Sequence, residues 1–352
     1  MPGYSHDFQE SKAAQAGGGS ISLLDMAGAA WMTQVLYAAC ELGIPEALAG
    51  GEATTEAVAR RCGCDADALG RLMGALATLR ICGRDEHGQW WLAPLGKPLL
   101  GDHPESVRAW VLWWGRNLWS LWGELASCVR TGKSARQLLQ GRTGYDHLDG
   151  NGEAARLFHE AMAGLTRIQS AAILRAYDFS GARRIVDIAG GNGALLFAIL
   201  AAWPDAQGVL YDLPHAIQSA CQGRGARSLH GRCTFASGSF FDAIPAGADL
   251  YLLKSIIHNW DDASSRQILE NCARAMDGGS RLLVVERVLS EDGTSPAAAV
   301  RSDLNMLVSL GGKERSTATI CGLLEQAGLE VARILPTSLE FTLFEAVRSH
   351  RQ

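Results

Sequence analysis

No pair of cysteines in this 352-residue chain has the CxxC spacing. The nine that occur (Cys40, Cys62, Cys64, Cys82, Cys128, Cys221, Cys233, Cys272 and Cys321) are odd in number and scattered. A disulfide framework and a structural zinc site are both poor readings of that pattern. The thiols read instead as small buried hydrophobes of a reducing, cytoplasmic compartment. Charge of one sign is missing too: 32 Lys+Arg stand against 37 Asp+Glu, and residues 1–180 (16 against 19) match residues 181–352 (16 against 18). Neither half has the basic field that nucleic acid or an anionic membrane demands. Long apolar runs are also absent. The stretch 23–40 is interrupted by Asp25, Thr33 and Gln34 and reads as a buried helix, not a membrane span. Residues 1–20 are polar, contain Gly17-Gly18-Gly19 and lack an apolar core segment, so they read as a flexible tail and not a signal peptide.

What is present suits a folded protein of about two domains, at roughly 150 residues each, with 47% hydrophobic and 20% charged residues. Up to residue 103 the pattern is helical and then turns to a hairpin. One helix runs through Trp31–Leu42 and a short one from about Thr55 to Arg61. A third, after Asp65 and Asp67, carries Leu69, Leu72, Met73, Leu76 and Leu79 on one face. Two short strands then flank a turn at Asp85-Glu-His-Gly88. Three helices and a hairpin make a winged-helix arrangement. Its third helix offers only Arg71 and Arg80 against Asp65 and Asp67, so packing or dimerisation is a better reading than a DNA reader.

Residues 104–180 are helical again, and five of the ten tryptophans fall between Trp110 and Trp122. At 100° per residue Trp110, Trp113 and Trp114 share one side of a helix while Trp119 points away. Core or subunit packing explains them, as does a wall for a flat aromatic ligand. From Arg183 the period changes. β-type runs at 184–188, 208–211, 250–253 and 281–285, with a weaker one at 233–236, alternate with helical stretches as in a parallel α/β sheet. Glu330–Leu335 and Phe341–Val347 are too close for a parallel crossover and form an antiparallel hairpin. The fold expected is α/β: a seven-stranded Rossmann-like sheet with a C-terminal antiparallel hairpin, preceded by a mainly α winged-helix unit.

The first of these strands enters Asp187-Ile-Ala-Gly-Gly-Asn-Gly193 and then a helix. Glycines there let a ligand approach the backbone near a positive helix end. Leu196 stands where a dinucleotide fingerprint needs its third glycine, which disfavours a nicotinamide dehydrogenase. The second strand ends at Asp212, placed to accept two ribose hydroxyls. His258 follows an apolar strand, at the edge where open α/β sheets bind ligands, and Glu286 ends the next strand. A carboxylate beside an imidazole fixes its tautomer and stabilises the imidazolium, as general-base work requires.

Five segments taken together (Asp187–Gly193, Tyr211–His215, Lys254–Asp262, Val284–Glu286 and Gly311–Arg315) resemble, in order and spacing, the S-adenosylmethionine-dependent O-methyltransferases of the caffeic-acid type, in particular their bacterial secondary-metabolite branch. The resemblance covers nearly all of the chain beyond residue 20. It implies a winged-helix dimerisation domain over 21–103 and a methyltransferase domain over 104–352 whose helices 104–180 line the substrate. It further implies a homodimer that turns S-adenosylmethionine into S-adenosylhomocysteine without a metal. Ala189 and Gly190 would face the cofactor's amino-acid portion, Asp212 its ribose, Gly238, Ser239 and Phe240 its adenine, and Lys254 would lie against it. His258 would be the base, with Glu286 and Glu314 bracketing its ring. Phe158, Met162, Asn259 and Met306 would line the acceptor pocket.

Two positions depart from the pattern: Ala189 replaces the first glycine of a triple-Gly turn, and Ser239 replaces an acid on the adenine side. Both bear on cofactor affinity. The expected acceptor is a hydroxyl on a planar aromatic or polycyclic natural product such as a phenazine, a quinone-type polyketide or another phenol. The alternatives are a relative drifted to decarboxylation or hydroxylation with structural S-adenosylmethionine, and a winged-helix regulator on DNA.

Overall fold

Helix starts in the N-terminal part are set by short polar side chains. Thr54 accepts a hydrogen bond from the Ala57 amide (3.3 Å) and Asp65 one from the Ala68 amide (2.8 Å), which satisfies donors that a first helical turn leaves free. In this computed structural model, which describes residues 18–142, 144–148, 151–222, 229 and 231–349, the chain divides into two compact units, 1–103 and 104–352. The first holds α1 (Gly18–Gly28), α2 (Ala30–Glu41), α3 (Ile44–Ala49), α4 (Thr55–Cys62), α5 (Ala66–Thr78) and a hairpin of β1 (Cys82–Arg84) and β2 (Trp90–Leu92). Leu69, Met73 and Leu76 form the buried face of α5. Of the tail expected over 1–20, residues 1–17 lie outside the described residues and 18–20 begin α1. The short α3 has no periodic signature and is an addition to the expected elements.

The second unit opens with α6 (Arg108–Trp113), α7 (Trp119–Trp122), α8 (Leu125–Thr131), α9 (Ala135–Gln140) and the long α10 (Gly152–Ala176). Residues 114–118 between α6 and α7 form a π-helical turn, so the tryptophan stretch is not one regular helix. The wider turn rotates its side chains away from a 100° spacing. Trp113 is buried against Phe158, Trp114 packs between Trp110 and Trp122, and Trp119 is exposed.

A βα alternation follows: β3 (Arg184–Ile188), α11 (Ala194–Ala202), β4 (Gln207–Asp212), α12 (Pro214–Gln222), β5 (Cys233–Ser237), β6 (Leu250–Lys254), α13 (Asp262–Ala275), β7 (Arg281–Leu289) and α14 (Ala297–Ser309). The chain ends with β8 (Arg315–Ser316), α15 (Thr317–Gln326), β9 (Leu329–Pro336) and β10 (Phe341–Arg348). The sheet runs β5-β4-β3-β6-β7-β10-β9, parallel except for β10, which is antiparallel to both neighbours. All seven expected strands are present. An eighth, β8, pairs in parallel with β7 over two residues, too few for any alternation to announce. Residues 185–188 and 250–253 are fully buried, as strands covered on both faces require.

Candidate active site

Two backbone features mark the carboxyl ends of adjacent strands. Ala189, after β3, and Ser255, after β6, both have a left-handed backbone (φ +54° and +55°), a conformation that disfavours any Cβ and collects at functional sites. Gly190 follows, and a Cβ there would run into the Asp187 carboxylate and Leu210. Asp187 is buried, its Oδ2 has no partner, and burial with the nearby charge of Asp212 pushes its pKa up to about 7. Asp212, at the end of β4, accepts the amide of Gly191 (2.8 Å) and that of Leu213 (2.6 Å). Its carboxylate is thereby fixed across the glycine turn. Gly238 donates its amide to the Asp212 carbonyl (3.0 Å), so the loop after β5 adjoins the same point. The Ser239 hydroxyl there accepts the Phe241 amide, and Phe240 packs on Phe241 and Trp260.

Lys254 ends β6. Its Nζ donates to Thr166 (3.3 Å) and lies 5.2 Å from the Phe341 ring centroid. Burial first, then the Arg287 charge, bring its pKa down to about 8 against the pull of Glu286 and Asp187. The Thr166 contact brings α10 over this end of the sheet. Met162 lies one turn before Thr166 on the same helical face and Phe158 one turn earlier. Phe158 packs on Trp113 and Tyr145 (ring centroids 5.2 and 5.6 Å).

His258 sits in a short 3₁₀ turn after β6, buried to 8% exposure. Its Nδ1 lies 2.9 Å from Glu314 Oε1 and 3.6 Å from Glu286 Oε2. Both carboxylates thus face one ring nitrogen, and no hydrogen bond reaches Nε2 among the described residues. Burial alone would lower the imidazole pKa, but the charges of Glu286 and Glu314 and the Glu314 hydrogen bond outweigh it and hold it above its ordinary value. Glu286 is anchored by the amides of Ile256 and Ile257 (2.9 Å each) and Glu314 by the Ser302 hydroxyl (2.6 Å). Burial raises the Glu286 carboxyl; the same penalty on Glu314 is overcome by His258 and Ser302, which leave it low. The three side chains offer atoms within 4.8 Å of one another. Within this group, His258 and Glu314 satisfy one another directly through the 2.9 Å hydrogen bond.

Asn259 is buried and its amide donates to the Ser255 carbonyl (3.1 Å), bracing the loop from within. Met306 is buried on α14, the helix that also supplies Ser302.

Three contributors were given no role by the sequence, although Gly312 and Arg315 lie in the segment Gly311–Arg315 that carries the resemblance. Arg315 binds Asp262, the Ile257 carbonyl (2.7 Å) and the Trp260 carbonyl (2.6 Å), clamping the His258 turn. Gly312 lies so close to the His258 carbonyl that a Cβ would overlap it. Tyr145, in an irregular segment, has a hydroxyl whose pKa burial raises, with Asp212 and Glu286 adding to the effect.

Residues 122–330 match an O-methyltransferase domain and residues 24–102 an O-methyltransferase dimerisation domain. The chain belongs to the S-adenosylmethionine-dependent O-methyltransferases. It is 36% identical to phenazine O-methyltransferase PhzM of Lysobacter antibioticus, over 93% of this chain and 96% of that protein. To the 3-amino-4-hydroxybenzoate 4-O-methyltransferase of Streptomyces cremeus it is 38% identical, over 92% and 89%. Among solved structures it resembles the neocarzinostatin O-methyltransferase NcsB1 in complex with S-adenosylmethionine and 2-hydroxy-5-methyl naphthoic acid. There the identity is 33% and the TM-score 0.76, over 90% of this chain and 96% of that one.

The residues present fit the cofactor of this family. Gly191 opens onto free space at the turn, Asp187 Oδ2 is a buried acceptor without a donor, and Asp212 is held across the turn. Among the described residues no helix is long and apolar enough to cross a membrane.

Proposed function

We propose that this enzyme methylates a hydroxyl of a planar aromatic or polycyclic natural product, with His258 as the base that takes the hydroxyl proton. The observation that carries the reading is the buried His258–Glu314 pair, with Nδ1 bound and Nε2 free, at the carboxyl edge of the sheet beside the glycine turn. Bound S-adenosylmethionine supplies an electrophilic methyl group on a positively charged sulfur. Ala189 and Gly190 would face its amino-acid portion, Asp212 its ribose hydroxyls, and Gly238, Ser239 and Phe240 its adenine, with Lys254 against it.

The proton arithmetic favours a tuned imidazole. A phenol near pKa 10 and an ordinary histidine near 6.5 differ by about 3.5 units, roughly 5 kcal/mol against full transfer. Two carboxylates at Nδ1 raise the imidazole and narrow that gap, and Glu314 fixes the tautomer so that Nε2 faces the acceptor as the lone-pair nitrogen. Transfer concerted with attack avoids free phenolate. Phe158, Met162 and Met306 supply apolar walls for the ring, and Asn259 steadies the loop that carries the base.

The protein would act as a homodimer through residues 24–102, in the cytoplasm. In the single chain α1 and the start of α2 leave Ile21, Leu23, Leu24, Met26, Trp31 and Met32 exposed, an apolar patch that suits an interface. None of the nine cysteines is in a disulfide; Cys40, Cys82, Cys128 and Cys272 are buried and Cys221 is exposed.

The test is methyl transfer from labelled S-adenosylmethionine to hydroxylated phenazines, quinones and simple phenols, with His258→Ala alongside. A mass gain of one methyl that falls by 10² or more in the variant is the expected result. Failure to bind S-adenosylmethionine, or full activity in the variant, overturns the reading.

A further inference from the structure

Arg136 is a buried cation with no acid paired to it among the described residues. The residue is 4% exposed, and its Nε is sealed from solvent without a partner. Among the described residues, no hydrogen bond, ion pair or aromatic face reaches its guanidinium. Its own helix, α9, contains no acid. Burial alone lowers its pKa, to about 10, so it stays charged at neutral pH. A guanidinium held in a buried site with its inner nitrogen sealed and no acid to pair with is costly, and a bound anion would offset that cost.

Its neighbour His147 does not neutralise it. The His147 Nδ1 lies 3.2 Å from the Gly144 carbonyl and so carries the proton, while burial and the Arg136 charge bring the ring's pKa down to about 4. Its Nε2 is also sealed and unpartnered. The His147 ring, in turn, lies beside Trp113 (6.2 Å) and stacks on Tyr145 (6.4 Å), the two rings that flank Phe158. From the other direction, Ser134, two residues before Arg136, approaches Gly311, next to the glycine that backs the His258 carbonyl. The charge of Arg136 is thus felt by a ring that adjoins the acceptor wall, and the start of its helix lies beside the loop that backs the base.

We propose that Arg136 anchors an anionic subsite of the acceptor pocket and that the acceptor is an aromatic hydroxy acid whose carboxylate pairs with the guanidinium. The inference rests on the methyl-transfer reading above and narrows its substrate class. A planar guanidinium matches a carboxylate bidentately, and the low dielectric that makes Arg136 costly when empty strengthens the pair when it forms.

The experiment titrates the full-length protein, with S-adenosylhomocysteine present, with hydroxybenzoates, hydroxynaphthoates and hydroxyphenazine carboxylates, each against its primary carboxamide. Calorimetry reads Kd and a parallel assay reads methyl transfer. The expected result is at least one carboxylate bound 30-fold or more tighter than its amide. Arg136→Gln should erase that preference and Arg136→Lys restore part of it, with thermal melts confirming that both variants fold. Equal binding of every acid and amide by the wild type overturns the proposal, as does a preference that survives in Arg136→Gln. Methyl transfer to neutral phenols with no binding of acids also overturns it and leaves the methyl-transfer reading standing. An Arg136-dependent acid preference without transfer to any acceptor supports the subsite and sinks the methyl-transfer reading instead.

Discussion

Arg315 and Arg136 are equally buried, at 4% exposure each, yet their surroundings are opposite. Arg315 directs its guanidinium to Asp262, three carbonyls and the Ser265 hydroxyl, all within the molecule. Arg136 has no such partner among the described residues, and its Nε is sealed from solvent. Burial of a charge therefore carries two meanings in one chain. Where partners surround it the charge belongs to the fold; where they are missing the fold has prepared for something else.

Replacing each residue separates these meanings, and Arg315→Met should have the largest effect. It removes the short charge-assisted donors to the Ile257 and Trp260 carbonyls, leaves them the longer Ser265 contacts, and frees the His258 turn, at a cost of about 3 kcal/mol. A thermal melt should fall by roughly 6–12 °C, with methyl transfer falling alongside. A melt within 2 °C of wild type would remove Arg315 from the comparison.

Glu314 combines the two conditions in one carboxylate, one oxygen bound and the other unpartnered. Glu314→Gln should lower kcat about 10²-fold, some 2.7 kcal/mol. His258 must be neutral to accept a proton, and its folded pKa is raised, so the acid limb of the wild-type pH–rate profile lies above 6.5. In the variant burial dominates and the limb moves down. The linkage has a definite sign. The raised His258 contributes stability that is full below about 6.5 and lost as pH rises through its folded value. The lowered Glu314 contributes stability above about 4.5 that is lost as pH falls. The melting gap between wild type and variant should therefore be widest between about pH 5 and 6.5. A gap independent of pH would contradict the pairing.

Arg136→Met should move the other way from Arg315→Met. Removing an unanswered charge stabilises the empty protein by about 1–2 kcal/mol, seen as a melt a few degrees higher. A melt lowered by 5 °C or more would put Arg136 in the same class as Arg315. Ala189→Gly should have the smallest effect. Relief of the left-handed alanine, worth about 1 kcal/mol, is partly cancelled by the freer unfolded chain. The net gain of about 0.5 kcal/mol should come with tighter binding of S-adenosylhomocysteine by calorimetry.

The legible parts of this molecule are those with a period or a punctuation mark. Leu69, Met73 and Leu76 announce α5, the apolar run 250–253 announces a central strand, and Gly190 and Asp212 announce the ends of β3 and β4. His258, Glu286 and Glu314 are legible because each follows or ends a recognisable segment. Their convergence on a single ring nitrogen is not, since both approaches to Nδ1 depend on where β7 and the loop before β8 lie in space. The π-helical turn at 114–118 and the two-residue β8 are too short to print a pattern. Tyr145 lies in an aperiodic stretch. Arg136 is the least legible of all, because its meaning lies in the partners that the fold withholds.

The place of β10 governs the order in which this enzyme can be made. It lies between β7 and β9 although it follows both in sequence. As the chain leaves the ribosome, the edge of β7 therefore stays open until residues 341–348 arrive. Glu286 pairs with Thr342 across that seam, so one wall of the catalytic cluster is completed only by the last strand. A nascent chain halted at β9 carries His258, Glu286 and Glu314 but presents an unpaired apolar edge, the kind that invites association with other chains. Maturation of the active centre and closure of the sheet are then a single late event.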